Sequence, residues 1–221
     1  MLLLQRSLGY AYFKAHYSFA QNLSTMLDKI FGKKPDGPEA SRKRLKALEG
    51  SDSADLAATL LTAPTALMQL SPEEGKIVVS YMKPLKITEG TAFIKEGDAK
   101  DTAFMMLVLD GEVTVENIVV SRTSAVTVTV LGPGSLIGEM GLVDGEPRSA
   151  TCTATTDVRG AVLTREALEE LMNDEPRIGG KLMMAVSLRI AQRLRETADK
   201  LRLYSQLTTA MQQEIDRLMP T

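Results

Sequence analysis

One cysteine and one histidine are all that this chain of 221 residues offers as soft or imidazole ligands. A single thiol, Cys152, cannot close an intrachain disulfide or build a cysteine-based metal cluster, so a reducing compartment is expected. His16 stands among Tyr10, Tyr12, Phe13 and Tyr17, and no serine or cysteine is patterned with it as a nucleophile would be. It reads as a packed or surface side chain rather than a general base. A surplus of one charge sign is missing too. Lys and Arg number 26 against 28 Asp and Glu, for a net charge of −2, which excludes a general nucleic-acid binder held by basic excess. No stretch approaches the roughly 20 apolar residues that span a bilayer. The opening MLLLQRS is broken by Gln5 and Arg6 and lacks the basic start and cleavage pattern of a signal peptide. The acidic residues do not repeat in calcium-loop order. These absences predict a cytoplasmic protein that is not an enzyme, holds no metal or cofactor, and makes no membrane contact.

With 44% apolar and 24% charged residues, the composition is that of a globular protein able to bury a core. Leu23, Met26, Leu27 and Ile30 recur at three and four, which predicts helix over 1–30. The segment GKKPDGPEASRKR (32–44) reads as a flexible joint. From Lys33 to Lys46, six basic and two acidic residues leave a local charge of +4, read as a solvated linker. Short helices are expected within 51–82, and Ser71, Pro72 and Glu74 form a strong helix start.

After Pro84 the texture changes. TAFIK, TAFMMLVL, EVTVENIVV, AVTVTVL and TCTAT are β-rich runs separated by EGD, DG, GPG and DGEP turns, the pattern of a small barrel or jelly roll. Val126, Val128 and Val130 alternate with Thr127 and Thr129, which predicts a strand with the valine face buried. From Arg165 helix returns, and Pro176 opens a long helix expected to reach about Leu207. On it Ile190, Leu194, Thr197, Leu201, Tyr204 and Thr208 follow a 4-3-4-3-4 spacing, a heptad seam suited to a parallel dimer. A second apolar set, Leu182, Val186 and Leu188, suits packing on the chain's own barrel. The expected architecture is α+β: a helical region (1–66), a β jelly-roll barrel with flanking helices and a long C-terminal helix (67–207), and a tail (208–221).

The most informative stretch is GSLIGEMGLVDGEPRSAT (134–151). It places Gly138 and Glu139 at the start of a helical turn, EMGLV, whose free backbone N–H groups can face an anion. Nine residues beyond Glu139, Arg148 can add two parallel charge-assisted hydrogen bonds to phosphate oxygens. Ser149 adds a hydroxyl, and Ala150 and Thr151 follow as small residues. A carboxylate repels phosphate, so Glu139 fits only if it accepts from a sugar hydroxyl on the same ligand. The pattern asks for phosphate and ribose side by side.

GEMGL (138–142), VDGE (143–146) and PRSAT (147–151) resemble the phosphate-binding cassette of the cyclic-nucleotide-binding domain family. That family includes the bacterial catabolite activator protein and the regulatory subunits of cyclic-AMP-dependent kinase. ITEGTAFIKEGD (87–98) and FMMLVLDGEVTV (104–115) resemble its first strands and turns, and the likeness covers about 67–204. The resemblance implies that Glu139 holds the ribose 2′-hydroxyl and Arg148 the cyclic phosphate. Gly138, Met140 and Ser149 would assist through backbone or hydroxyl, with Thr151 closing the cassette. It places Arg193 near Glu139 and Thr197 near the purine; the same two residues also fit plain roles as a solvated side chain and a seam filler. Where relatives have a second hydroxyl after the threonine, this chain has Ala198. Too few residues follow Leu207 for a helix-turn-helix, so direct DNA binding is not expected. The implied function is a sensor of a cyclic purine mononucleotide, cyclic AMP first. Ser149 keeps cyclic GMP open, and a scaffold with optional ligand is the rival class. A homodimer and an unidentified effector are the expected partners.

Overall fold

The computed structural model describes residues 39–218 apart from Thr65, Met68, Asp101 and 118–125. The expected N-terminal helix, His16 and the first part of the joint lie outside the described residues. The chain divides into two compact units, one ending at Val186 and the other beginning at Ser187.

The second half of the expected joint is not a linker. Glu39–Leu48 is helix α1, with Glu39 in its first turn and Lys46 in its last, charges that suit the helix dipole. Arg, Lys, Leu and Ala are strong helix formers, and the run has no apolar stripe to advertise a helix by period. Helix α2 (Asp52–Leu61) is capped by Ser51. Helix α3 (Pro72–Val79) has the capping box expected of it: Glu74 N donates to Ser71 Oγ at 3.3 Å and Ser71 N to Glu74 Oε2 at 2.7 Å. Ser71→Ala is expected to cost about 1 kcal/mol, read as a lower urea midpoint at unchanged slope.

Among the described residues eight strands follow: β1 (Lys83–Ile87), β2 (Ala92–Ile94), β3 (Phe104–Asp110), β4 (Val113–Asn117), β5 (Val126–Leu131), β6 (Leu136–Ile137), β7 (Thr151–Ala154) and β8 (Val158–Thr164). They form two four-stranded antiparallel sheets, β1-β8-β3-β6 and β2-β7-β4-β5, the two layers of a jelly roll. Pro84 is tolerated because β1 is an edge strand. Ile87, Ile94, Met106, Val108, Val113, Ile137, Cys152, Ala154 and Val158 make one buried cluster between the sheets. Strands β1, β6 and β8 lie outside the β-rich runs expected. At Val130, strand β5 differs from expectation. Val130 stands opposite Thr114 and is 55% exposed, whereas Leu131, opposite Val113, packs on the core. Alternation defines two faces, and the pairing decides which one turns inward.

Between β6 and β7 lies a short helix, α4 (Glu139–Asp144). After β8 come α5 (Arg165–Asp174), capped by Thr164, and α6 (Pro176–Leu218). In the first unit α6 buries Ile178, Leu182, Ala185 and Val186. Lys181 reaches back to α3, with Nζ 2.6 Å from Glu74 Oε2, so one carboxylate serves both the cap and an ion pair. In the second unit the helix continues past Leu207, so 208–218 is not a tail. Thr208 and Thr209 donate their hydroxyls to the carbonyls of Tyr204 and Ser205, and no Gly or Pro intervenes before Pro220. The seam spacing continues through Met211, Ile215 and Leu218, all exposed, as are Leu194, Leu201 and Tyr204. Among the described residues no helix is long and apolar enough to cross a membrane.

Candidate ligand-binding site

The site is built where β6 ends. Gly138 takes a left-handed conformation (φ +78°) that turns the chain into α4, and Gly145 closes that helix. A Cβ on Gly138 would lie 2.7 Å from Arg148 Nη1 and 3.0 Å from the Phe104 carbonyl oxygen. One on Gly141 would lie 2.5 Å from the Thr102 carbonyl oxygen and 2.7 Å from Arg148 Nη1. The backbone of α4 therefore passes directly over the guanidinium, and only glycines permit that approach.

Arg148 is 7% exposed. Its Nη1 donates to the carbonyls of Gly138 at 3.2 Å and Phe104 at 3.4 Å, and Nη2 donates to Phe104 at 3.3 Å. The guanidinium carbon sits 4.2 Å above the Phe104 ring, a cation–π contact. Burial pulls the arginine pKa down, opposed by charge interactions with Cys152, Glu139 and Asp144. Its main chain is fixed to the β2–β3 turn: Arg148 N donates to the Asp98 carbonyl at 2.9 Å and Gly97 N to the Arg148 carbonyl at 2.8 Å. A buried cation bonded to neutral carbonyls is costly unless an anion shares the site. Beside it opens a cleft of about 560 Å³ whose lining includes Phe93, Lys95, Asp98, Lys100, Phe104 and Arg148.

The first unit holds Gly138, Glu139, Met140, Arg148, Ser149 and Thr151 in one loop-and-helix segment. Glu139 is 1% exposed; Met140 and Ser149 are exposed. Thr151 uses its hydroxyl on the chain itself, accepting from Glu96 N at 3.1 Å, so it braces the site. Leu142 is buried, whereas its neighbour Val143 is 39% exposed. Arg193 and Thr197 belong to the second unit, where Thr197 Oγ1 donates to the Arg193 carbonyl at 2.8 Å.

Three supporting residues carry no signal in the sequence. Phe104 supplies the carbonyl and ring under Arg148. Thr102 is buried and donates to the Gly145 carbonyl at 3.0 Å. Arg165 Nη2 donates to the Gly141 carbonyl at 3.4 Å. Phe104 lies in β3 and the other two beside the ends of β3 and β8, so all three meet the cassette through contacts distant in sequence.

Compared with known proteins, residues 84–175 match the cyclic nucleotide-binding domain family, and the match encloses this whole cassette. It is over those residues, less than half of the chain, that the protein is similar to this family. Among curated relatives, the Cyclic AMP receptor protein of Thermus thermophilus is 32% identical over 62% of this chain and 60% of its own length. The Acetyltransferase Pat of Mycolicibacterium smegmatis is 32% identical over 43% of this chain and 28% of its own. A crystal structure of a cyclic nucleotide-binding domain from Methylobacillus flagellatus has a TM-score of 0.58 at 28% identity, covering 68% of this chain and 83% of its own. The chain spans 56–60% of the length of the first curated relatives it matches. Helices α1 to α3 and the second unit fall outside the stretch matched as a cyclic nucleotide-binding domain.

Proposed function

We propose that this protein senses a cyclic purine mononucleotide, cyclic AMP in the first place, and passes its occupancy on without altering it chemically. The observation that carries the reading is the buried Arg148 fork under the glycine backbone of α4, with Glu139 buried beside it. The cyclic phosphate would take charge-assisted bonds from Arg148 and from the N–H groups at 138–142, with Ser149 adding a hydroxyl. Glu139 would accept from the ribose 2′-hydroxyl, and Met140 would contribute its backbone. The cassette supplies neutralisation and hydrogen bonds and assigns no general base to the phosphorus, so no turnover is proposed. Binding would draw the cassette inward and shift the helices that follow, with α6 closing over the purine through Thr197 and Arg193. Such a switch requires different affinities in two states. Relatives named for cyclic AMP support that ligand. The Ser149 hydroxyl supports cyclic GMP as the second reading. Titration calorimetry with both nucleotides decides between them, and no heat with either at millimolar concentration would reject the sensor in favour of a scaffold.

The seam on α6 supports a homodimer. From Leu194 to Leu218 it leaves apolar side chains 49–70% exposed at heptad spacing along a single helix, a surface that a second copy would cover. Leu201→Asp is expected to give the monomer mass in sedimentation equilibrium where the parent gives twice that mass. A parent that sediments as a monomer at 100 micromolar order, roughly where a weak zipper should still pair, would remove the dimer.

A further inference from the structure

Helix α5 joins two features that lie in different parts of the chain. At its first residue Arg165 holds the cassette: Nη2 bonds the Gly141 carbonyl inside α4, and its own N–H donates to the Ala103 carbonyl at 2.9 Å, beside Thr102. The length of α5, about 13.5 Å, separates that contact from Asp174 at its last residue. There Asp174 Oδ2 accepts from the Tyr81 hydroxyl at 2.8 Å, and the same hydroxyl bonds Ser41 Oγ of α1 at 2.8 Å. One turn earlier Glu170 Oε2 meets Arg44 Nη2 of α1 at 2.6 Å, and that guanidinium lies 4.5 Å from the Tyr81 ring centre.

The clasp on α1 is polar. Ser41 is the only buried residue of that helix, and the Arg44–Glu170 pair is 40% and 56% exposed. Exposed pairs of this kind contribute about 0–1 kcal/mol, so the Arg44–Glu170 pair by itself fastens α1 only weakly. The Tyr81 hydroxyl at its centre is 3% exposed at the residue level and its pKa is pushed up to about 12, chiefly by burial; Ser41 opposes the shift and Asp174 adds to it. A helix fastened through such a polar clasp changes population when the carboxylates on α5 shift.

We propose that α1 is a reporter helix whose docking is coupled to the cassette through α5, with Arg165 as the positioning residue at one end and the Ser41–Tyr81–Asp174 chain as the clasp at the other. The coupling rests on the nucleotide reading for its trigger, and its geometry stands without it. Because coupling is reciprocal, loosening the clasp alters ligand affinity by the factor by which ligand alters docking of α1.

The test is amide hydrogen exchange of residues 39–48 in the full chain, with and without saturating cyclic AMP, for the parent, Arg165→Met, Arg165→Lys and Tyr81→Phe. In the parent, nucleotide is expected to change exchange at 39–48 by at least about twofold, in either direction. Arg165→Met should still bind, shown by calorimetry, and lose that response. Arg165→Lys, which keeps a donor for the Gly141 carbonyl, should restore it. Tyr81→Phe should speed exchange at 39–48 without nucleotide. A parent that binds cyclic AMP with no change at 39–48, or an Arg165→Met protein that keeps the full response, overturns the coupling. If calorimetry finds no binding, the ligand reading is what fails. The coupling is then decided in free protein: Arg165→Met, at the far end of α5, either changes exchange at 39–48 or overturns it by leaving exchange as in the parent.

Discussion

Arg148→Ala is expected to weaken cyclic AMP binding by two to three orders of magnitude while leaving the barrel folded. Removing one partner of a buried, hydrogen-bonded charge pair costs about 2–5 kcal/mol, or roughly 30- to 3,000-fold in affinity at about 1.4 kcal/mol per decade. The free protein should suffer far less, because two effects oppose. Truncation relieves a desolvated charge, as the lowered arginine pKa indicates, and loses three bonds to carbonyls and the contact with Phe104. Arg148→Lys keeps the charge and gives up the planar fork, so it should fall between the parent and Ala. A thermal scan offers a second readout. Ligand at 100 times its Kd stabilises the parent by about 2.7 kcal/mol and should leave Arg148→Ala unmoved. Parental affinity in Arg148→Ala would place the anion elsewhere and end the sensor reading.

The cassette was legible in the sequence because it is local. Gly138 to Thr151 lie close along the chain, so residue type and spacing carry the geometry. The barrel was legible as a class for a similar reason, since strand runs and glycine turns are short-range signals. What lies under the cassette was not. Phe104 and Arg165 are brought near by β3 pairing with β8, where Phe104 stands opposite Thr164, a contact between residues far apart in sequence. The buried face of β5 depended on its pairing with β4, which shifts register between Val115 and Asn117. The segment of helix α1 reads as linker because its pattern is basic, and contacts such as the Ser41–Tyr81 bond and the Arg44–Glu170 pair join residues far apart in sequence. For α6, the end expected near Leu207 has no Gly or Pro behind it until Pro220, and the hydroxyls of Thr208 and Thr209 bond back along a helix that continues.

Gly111→Ala is expected to lower stability by about 2–5 kcal/mol without touching the cassette. Gly111 turns β3 into β4 at φ +87°, where a side chain costs about 1–2 kcal/mol from strain alone. A Cβ there would also lie 2.3 Å from the Asp157 carbonyl oxygen and 3.0 Å from Val158 Cα, backbone atoms that cannot rotate away. Such overpacking adds about 1–3 kcal/mol. The corner has little room to yield, because Glu112 N donates to Thr156 Oγ1 at 2.9 Å and Thr155 N to the Glu112 carbonyl at 2.9 Å. Those bonds tie the β3–β4 turn to the β7–β8 connection. Gly97 supplies the control: its φ of +81° is similar, but nothing lies within 4 Å of its Cβ position. Gly97→Ala should therefore show the strain and not the clash. Urea unfolding of the two variants, compared at equal slope, separates the contributions. Equal losses from Gly111→Ala and Gly97→Ala would mean that the β3–β4 corner does not press on the Asp157 backbone, and that the two sheets are joined there more loosely than these distances require.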